Sequence, residues 1–404
     1  MQKLIVTGLL MATTSFLFAQ KADNIISAKE AERIEKVLAA DDMRGRKVFT
    51  PELEKAADFI ASEFKKAGLQ PWAGNATYLQ GFAMVKPKFI SASGTLDGKP
   101  LDQKNIVVIT SQPEFKMDQH SGFEKAVIKS GDNFFMEAYA YFQSGKNYFI
   151  TVDTVFAKNF ARLAQLKGAG MFKTDKSIVY VLAEKEPATF SIAAKHEITE
   201  QKLANVVGIL PGKSKKDEYV IFSGHYDHIG IGQAVNGDSI NNGANDDASG
   251  TTAVILLAKY FKALNNNERT LVFAAFTAEE IGGFGSQYFS KQFDAAKVAA
   301  MFNIEMIGTD SKWGNNSAYI TGYEKTDMGK ILQKNLEGTG FTFYPDPYLS
   351  QDLFYRSDNA TLARLGVPAH TISTSKMDDE PNYHKVSDQV ETLDMANMAM
   401  IVKS

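Results

Sequence analysis

The first part of the chain, residues 25–69, has the apolar spacing of α-helices. Apolar side chains that recur every three or four positions fall on one helical face: Ala56, Ile60, Phe64 and Ala67. Thr50 and Pro51 suit the start of a helix, because the threonine oxygen can accept an unpaired backbone N–H and proline needs none there. Gly68 suits the left-handed end of a helix. We therefore predict a helix that begins after Thr50 and ends before Gly68.

From residue 205 onwards, short apolar runs alternate with helical patterns. The runs at 219–223, 271–276 and 298–307 are predicted strands, and the second is apolar throughout, as in a strand buried on both faces. A helical face lies between the first two: Val254, Leu257, Ala258 and Phe261. This order implies right-handed crossovers. We predict an α/β fold, a three-layer α/β/α sandwich with a mixed, mainly parallel central sheet.

Residues 86–197 have a different character and interrupt this fold. They are rich in Phe, Tyr, Ser, Gly and Lys. Their predicted elements are three strands and a helix, at 105–110, 148–152, 178–182 and 159–166. We interpret 86–197 as a smaller inserted domain between a helical part at 20–85 and the main domain at 198–404. Its two histidines, His120 and His196, are predicted to lie at the surface.

The N-terminus has the pattern of an export signal. Lys3 precedes a mostly apolar run at 4–18, which ends at the small residue Ala19. The run is short and interrupted by Thr and Ser, so a cleaved signal peptide at 1–19 is favoured over the alternative, a membrane anchor. We expect an exported protein, periplasmic or extracellular, without stable membrane insertion.

Charge and cysteine content exclude several classes of function. The net charge of −3 lacks the basic excess typical of proteins that bind nucleic acids or anionic membranes. The chain contains no cysteine, which excludes disulfides, thiol catalysis and thiolate-bound metals. Any transition metal must therefore be bound by His, Asp or Glu side chains.

Potential metal ligands follow each of the three predicted strands. His225 ends the first, Glu279 and Glu280 follow the second, and Glu305 belongs to the third. The carboxyl ends of parallel strands meet at one edge of a sheet, so these side chains should converge. Two loop segments add Asp246 with Asp247, and His384 with Asp388. Taken singly, each has an ordinary structural explanation such as a helix cap or a solvated pair, but together they predict a metal centre.

The set fits two divalent metal ions. Zinc is held by imidazole and carboxylate where thiolates are absent. Two ions about 3.5–4 Å apart need a shared ligand, which a short Asp can supply. Glu279 and Glu280 are adjacent, so one can bind metal while the other acts as general base.

Three stretches of the sequence resemble a known family. VIFSGHYDH at 220–228, GANDDASG at 243–250 and FTAEEIGGFGS at 276–286 are similar to the co-catalytic di-zinc exopeptidases of clan MH, family twenty-eight. The similarity covers 25–82 and 203–395, and includes AADDMRGR at 39–46, which is similar to the N-terminal segment of many bacterial members. The insertion lies where some members carry a protease-associated domain.

The resemblance implies a role for each site residue. His225 and Glu305 would bind one zinc, Glu280 and His384 the other, with Asp246 bridging and Glu279 as general acid and base. Two acids would orient the histidines, Asp227 for His225 and Asp388 for His384. Asp247 would share an unusual backbone turn with Asp246, and His228 is not assigned as a ligand.

The sequence departs from the family pattern at several positions. Glu305 stands where Asp is frequent, and Asn359 replaces the histidine of a Ser-Asp-His motif. Tyr355 is a candidate to hydrogen-bond the reaction oxyanion, with a packing role as the alternative. His370 lies in an apolar run and is interpreted as structural.

The resemblance implies a secreted exopeptidase with two zinc ions per chain. It would most readily be an aminopeptidase that acts on peptides through a metal-bridging hydroxide, with specificity partly in the loops 350–359 and 377–384. Alternatives are a single-zinc glutaminyl cyclase, a catalytically inactive receptor-like module and a calcium-stabilised structural protein. The sequence leaves open carboxypeptidase or dipeptidase activity, the preferred side chain and the oligomeric state.

Overall fold

The computed structural model describes residues 24–72, 74–168 and 170–404. The predicted signal peptide at 1–19 lies outside these residues. Among the helices that are described, none has the length and apolar character needed to cross a membrane. The chain divides into two compact units, one of residues 82–202 and one formed by the rest.

The strands, in chain order, are β1 (Gln70–Pro71), β2 (Leu79–Leu96), β3 (Lys99–Leu101), β4 (Ile106–Ile109), β5 (Glu114–Asp118), β6 (Glu124–Ile128), β7 (Tyr148–Val152), β8 (Met171–Phe172), β9 (Ile178–Leu182), β10 (Phe190–Leu210), β11 (Lys215–His225), β12 (Gly230–Val235), β13 (Asp238–Asn241), β14 (Arg269–Phe276), β15 (Val298–Ile304), β16 (Ser317–Ile320), β17 (Thr342–Pro345) and β18 (Ala369–Ser373). The α-helices are α1 (Ala28–Leu38), α2 (Pro51–Ala67), α3 (Phe134–Gln143), α4 (Ala157–Phe160), α5 (Ser249–Leu264), α6 (Phe284–Ser290), α7 (Met328–Asn335), α8 (Ala360–Ala363) and α9 (Met395–Lys403).

The helix predicted between Thr50 and Gly68 is present as α2. Thr50 Oγ1 accepts the backbone N–H of Leu53 at 3.4 Å, which satisfies one of the free N–H groups of the first turn. Gly68 has φ +78°, the left-handed conformation that ends many helices and that glycine adopts without strain. Both ends of α2 therefore lie where the sequence places them.

The main unit is built on a mixed sheet in the order β17-β16-β18-β15-β11-β14-β10. The central strand β11 pairs in parallel with β14 and β15, and β15 pairs in parallel with β18. Antiparallel pairs occur between β10 and β14 and between β16 and β18. The predicted α/β fold with a mixed, mainly parallel sheet is confirmed.

Strand β14, the neighbour of β11, is buried on both faces of this sheet. On one face, Phe273 stacks with Phe222 of β11 at 5.5 Å, and Phe222 stacks with Phe261 of α5 at 5.3 Å. On the other face, Phe276 meets the edge of Phe289 of α6 at 5.0 Å. Helices on opposite faces explain why the apolar run of β14 is continuous rather than alternating.

The second unit, residues 82–202, has its own four-stranded sheet in the order β4-β9-β7-β6. Helix α3 covers one face, where the Tyr180 hydroxyl donates to the Ala138 carbonyl at 2.8 Å. On the other face, Phe149 stacks with Phe190 of β10 at 3.8 Å. The predicted helix at 159–166 is instead the short α4 followed by a 3₁₀ turn.

The limits of this unit lie within long strands rather than in loops. It starts four residues before the predicted boundary at 86 and ends five residues after that at 197. Strand β2 runs through the first boundary and β10 through the second. A change in composition therefore marks the insertion, but it does not coincide with a break in secondary structure.

The prediction that His196 lies at the surface is wrong. His196 is only 4% exposed. It lies on β10, where Phe190, Ile192 and Ala194 are buried in alternation with exposed residues, and it continues that period of two. The other histidine of this unit, His120, is exposed as predicted.

Candidate metal centre

The predicted ligands converge at the carboxyl edge of the main sheet. His225 is the last residue of β11, Glu305 directly follows β15, and Glu280 lies four residues beyond β14. Asp246 and His384 reach the same place from loops. The structure thus brings together all five residues that the sequence indicates as ligands.

The first cluster of potential ligands consists of His225, Asp246 and Glu305. His225 Nε2 lies 3.2 Å from Asp246 Oδ1. His225 Nε2 and Glu305 Oε2 are buried and have no hydrogen-bond partner. Buried polar atoms are rarely left unpaired, so this cluster has the chemistry of an ion site.

The second cluster contains His228, Asp246, Glu280 and His384. His384 Nε2 lies 3.2 Å from Asp246 Oδ2 and 3.2 Å from Glu280 Oε2. Asp246 therefore directs one carboxylate oxygen towards each cluster. A shared short carboxylate is the feature that joins two neighbouring metal sites.

His228 belongs to this second cluster, although the sequence analysis did not assign it as a ligand. Its Nδ1 lies 2.7 Å from Glu280 Oε1 and 3.8 Å from Asp246 Oδ2, and its Nε2 is buried and unpaired. His228 comes three residues after the end of β11, where the chain has left the strand and the alternation of sides no longer applies. The sequence signal was the spacing of two histidines in GHYDH, but the direction of the second depends on the loop.

Asp388 contacts the loop of Asp246 rather than His384. Its carboxylate accepts the backbone N–H of Asn245 at 2.7 Å and that of Asp246 at 3.0 Å. The prediction that Asp388 orients His384 is therefore replaced by a contact that fixes the backbone of the shared ligand. Burial raises the pKa of Asp388 to about 6.

Asp247 ties the same loop to two strand ends. The peptide bond between Asp246 and Asp247 is cis, which is the unusual backbone turn that the resemblance implies. The Asp247 carboxylate accepts the N–H groups of His225 at 3.0 Å and Met306 at 3.1 Å. These bonds hold the segment after β11 and the segment after β15 against the loop of Asp246.

Asp227 connects His225 with the two adjacent glutamates. Its carbonyl oxygen lies 3.1 Å from His225 Nδ1, and its carboxylate lies 3.9 Å from the same atom. The carboxylate accepts the N–H groups of Glu279 at 3.1 Å and Glu280 at 3.4 Å. Asp227 thus fixes the His225 ring and the start of the glutamate segment together. Burial raises its pKa to about 7.

Glu279 lies beside the clusters without belonging to either. Its Oε2 is 4.0 Å from His225 Nε2, and burial raises its pKa well above the usual range.

Hydrogen bonds to Asp246 and Glu280 raise the pKa of His384 to about 10. Burial opposes ionisation of Asp246, but the close imidazoles of His225 and His384, each 3.2 Å away, hold its pKa well below the usual range.

The sequence model of peptidase family M28 matches residues 205–403. These residues belong to peptidase family M28. The matched region, called the M28 segment below, contains both clusters.

The chain is similar to several curated proteins. A probable zinc metalloprotease of Pyricularia oryzae is 35% identical over 112 residues, which are 27% of this chain and 22% of that protein. A probable leucine aminopeptidase of Trichophyton verrucosum is 28% identical over 204 residues, 48% of this chain and 54% of that protein. The chain thus spans from about a fifth to about half the length of the curated relatives it matches.

A solved structure supports the fold over nearly the whole chain. The aminopeptidase from Aneurinibacillus sp. strain AM-1 aligns with a TM-score of 0.54 at 17% identity. The alignment covers 94% of this chain and 92% of that one. The shared fold is therefore not limited to the M28 segment.

A pocket opens over the two clusters. Its lining includes Asp246, Glu279, Glu305, Tyr383 and His384. The Tyr383 ring stacks on that of His384 at 4.0 Å. A substrate in this pocket would contact the carboxylates and the Tyr383 side chain at once.

Tyr355 is not among the residues that line this pocket. It is 39% exposed, and its ring contacts Phe354 at 4.7 Å and the Arg364 guanidinium at 5.2 Å. The structure therefore favours the packing alternative for Tyr355. The tyrosine that does line the pocket is Tyr383, which belongs to the loop 377–384 that the sequence analysis connects only with specificity.

Asn359 and His370 have structural roles. Asn359 Nδ2 donates to the carbonyl oxygens of Phe354 at 2.9 Å and Ala369 at 3.2 Å. His370 Nδ1 lies 2.8 Å from the Thr321 carbonyl, within the buried strand β18. Asn359 therefore replaces a histidine of the family motif with an amide that braces the loop.

Proposed function

We propose that the protein is a zinc-dependent exopeptidase, and specifically an aminopeptidase that removes N-terminal residues from peptides. One observation carries the proposal: Asp246 is shared by two clusters of ligands, with Glu279 beside them. The family membership of residues 205–403 and the names of the relatives support the same activity.

The donor set fits two zinc ions. His225, Asp246 and Glu305 would hold one, and Asp246, Glu280, His384 and His228 the other. Imidazole and carboxylate are the ligands of zinc in the absence of thiolates, and the buried unpaired Nε2 of His225 and Oε2 of Glu305 are atoms that such an ion would satisfy. Zinc bound here would polarise the peptide carbonyl and lower the pKa of a water molecule.

The surrounding side chains supply the proton chemistry. Glu279 lies within reach of the clusters but outside them, so its carboxylate is available to take a proton from water and deliver it to the leaving amine. Such general acid–base catalysis contributes about 10²–10⁴-fold. Tyr383, which also lines the pocket, can donate its hydroxyl proton to the oxygen of the reacting carbonyl.

The alternative functions fit the site less well. A single-zinc enzyme would not need both clusters around Asp246. Calcium prefers shells made entirely of oxygen, and three histidines lie in this site. An inactive receptor-like module would not need Glu279 beside a complete ligand set.

We further propose that the protein is exported and that residues 1–19 are removed. The basic start, apolar centre and Ala19 support this. Sequencing of the N-terminus of the protein recovered from the periplasm or medium should give Gln20 as the first residue. An intact Met1 on soluble cytoplasmic protein would contradict it.

A substrate panel tests the activity most simply. Aminoacyl amides with free N-termini should be hydrolysed, and the same compounds with acetylated N-termini should not. Chelation should abolish hydrolysis, and added zinc should restore it. Hydrolysis of the blocked compounds at equal rates would contradict an aminopeptidase, and activity that survives complete removal of metal would contradict a zinc enzyme.

A further inference from the structure

Arg46 is fully buried in the main unit, and its guanidinium hydrogen-bonds only to backbone carbonyl groups. The four acceptors are Tyr226 at 2.7 Å, Leu38 at 2.7 Å, Asn242 at 2.6 Å and Gly243 at 2.8 Å. Burying a guanidinium costs free energy unless its donors are satisfied. The buried guanidinium is therefore expected to act on the backbone segments whose carbonyl groups it binds.

Two of the segments that Arg46 contacts carry metal ligands. Tyr226 lies between His225 and Asp227, and the backbone carbonyl of Arg46 also accepts the N–H of His228 at 3.3 Å. The main chain and side chain of Arg46 thus contact the segment that presents one histidine to each cluster.

The other contacted segment leads to the shared ligand. Asn242 and Gly243 immediately precede the loop of Asp246, and Arg46 Nη1 and Nη2 donate to their carbonyl oxygens. On the far side of the same loop, the Asp388 carboxylate accepts the N–H groups of Asn245 and Asp246. The loop is therefore held through its carbonyls by a cation and through its amides by an anion.

Gly45 allows Arg46 to approach this closely. A Cβ on Gly45 would lie 2.3 Å from the Asn241 carbonyl oxygen and 2.8 Å from Gly230 Cα, and its φ is +68°. Only glycine fits such a contact between backbones without displacement. Gly45 thus lets the N-terminal segment that carries Arg46 pack closely against the loops of the metal centre.

We propose that Arg46 is a positioning residue that fixes the distance between the segment of His225 and His228 and the loop of Asp246. It does so without touching substrate or metal. Three guanidinium nitrogens bind carbonyls of both segments at once, which a lysine ammonium, a single point donor, cannot reproduce. Arg46 would therefore preform both clusters, an inference that rests on the proposed zinc chemistry.

The test compares Arg46→Lys and Arg46→Gln with Lys259→Met. Lys259 binds Glu30 at 2.8 Å and Glu63 at 2.6 Å, which links α5 to α1 and α2. It stabilises the same unit without a contact to the ligand segments, so it serves as the control for general loss of stability. Zinc affinity is measured by chelator competition on metal-free protein, and kcat, KM and Tm are measured on the zinc-loaded protein.

We expect both Arg46 variants to bind zinc at least about tenfold more weakly at both sites and to lose kcat at least tenfold, with KM within about twofold. The lysine variant should retain more affinity than the glutamine variant. Lys259→Met should lower Tm by a similar amount while zinc affinity and kcat stay within about twofold.

Three results would overturn the inference. In the first, the Arg46 variants keep wild-type zinc affinity and kcat while Tm falls. In the second, Lys259→Met loses zinc affinity in the same proportion. In the third, neither Arg46 variant folds even with excess zinc while Lys259→Met does, which would assign Arg46 to the fold as a whole. Wild-type protein that binds no zinc would instead refute the proposed function, so the two failures are distinguishable.

Discussion

At the scale of single residues, Glu279 and Glu280 show how adjacent acids acquire different surroundings. Glu280 contacts His228 at 2.7 Å and His384 at 3.2 Å within a cluster, whereas Glu279 stays outside. Neighbouring side chains in an irregular segment point in different directions. One can therefore bind metal while the other carries protons.

Glu279→Gln should keep both zinc ions and lose turnover by about 10²–10⁴-fold, since it removes only the proton carrier. Glu280→Gln removes an anionic ligand and should first lose about one zinc ion, and activity as a consequence. Metal content and kcat measured on the same samples decide this. If Glu279→Gln loses metal and Glu280→Gln keeps it, the two roles are reversed.

The two tyrosines should also differ. Tyr383→Phe removes a donor that faces the reacting carbonyl, and we expect kcat to fall about a hundredfold with zinc content unchanged. Tyr355→Phe serves as the matched control and should stay within about twofold, because its ring packs outside the pocket. The opposite pattern would restore Tyr355 as the oxyanion donor.

The sequence predicts which side chains meet at the ends of strands better than it predicts where side chains in loops point. His225 and Glu305 adjoin strands, so the sheet edge alone brings them together. His228, Asp388 and Tyr383 lie in irregular segments, whose side-chain directions no periodicity encodes. This is why His228 was not assigned as a potential ligand, and why Asp388 was expected to contact His384 rather than the loop of Asp246.

At the scale of elements, the strands of the main unit are longer than their apolar runs. The run at 219–223 is the centre of β11, which begins at Lys215 because that residue pairs with Arg269 at the start of β14. Backbone pairing extends a strand into polar residues, which a hydrophobic pattern does not register. In the main unit, the segments predicted as helices or strands do adopt those structures, because each one buries a whole apolar face.

Helix α1 contains a buried acid that should make stability depend on pH. Glu35 is fully buried, and burial raises its pKa to about 8. Because this exceeds the unfolded value, the contribution of the neutral carboxyl is complete below about pH 4.5 and is lost as the pH rises through about 8.

Glu35→Gln should therefore gain stability over wild type as the pH rises from 5 to 9, by on the order of 4 kcal/mol. Denaturant unfolding at several pH values measures this. Glu32→Gln is the matched control, an exposed acid of the same helix that pairs with Lys36, and should show no such trend. A constant difference across this range would show that Glu35 is not neutral in the folded protein.

The loops that border the pocket should set substrate preference. Among the described residues that line the pocket, Arg356 is the one lysine or arginine. Its Nη1 lies 3.4 Å from the backbone and side-chain oxygens of Gln351. A guanidinium in this position can bind a carboxylate of the substrate, with a gain of about 1.5–3 kcal/mol for such charge-assisted hydrogen bonds.

Arg356→Ala should lower kcat/KM at least about tenfold for dipeptides with a free C-terminus, and less than twofold for the corresponding dipeptide amides. Arg364→Ala, which removes an exposed arginine from the ring of Tyr355, is the control. Equal losses for acids and amides would show that Arg356 does not recognise a carboxylate.

At the scale of the whole molecule, residues far apart in sequence form one centre because several chain segments end at one sheet edge. Parallel strands bring His225 and Glu305 there. Arg46, Asp247 and Asp388 hold the loop of Asp246 at the same edge, and Asp227 holds the segment of Glu280. The fold class and the ligand types follow from patterns within each segment. The contacts between segments require the three-dimensional structure.

The shared carboxylate makes zinc binding to wild type and Asp246→Asn the most direct test of the account. Metal-free protein should take up about two zinc ions per chain, measured by elemental analysis after equilibrium dialysis. Asp246→Asn loses one anionic ligand from both clusters at once, so both ions should bind at least about tenfold more weakly. Wild-type protein without bound zinc, or Asp246→Asn with two ions at unchanged affinity, would contradict a centre built around Asp246.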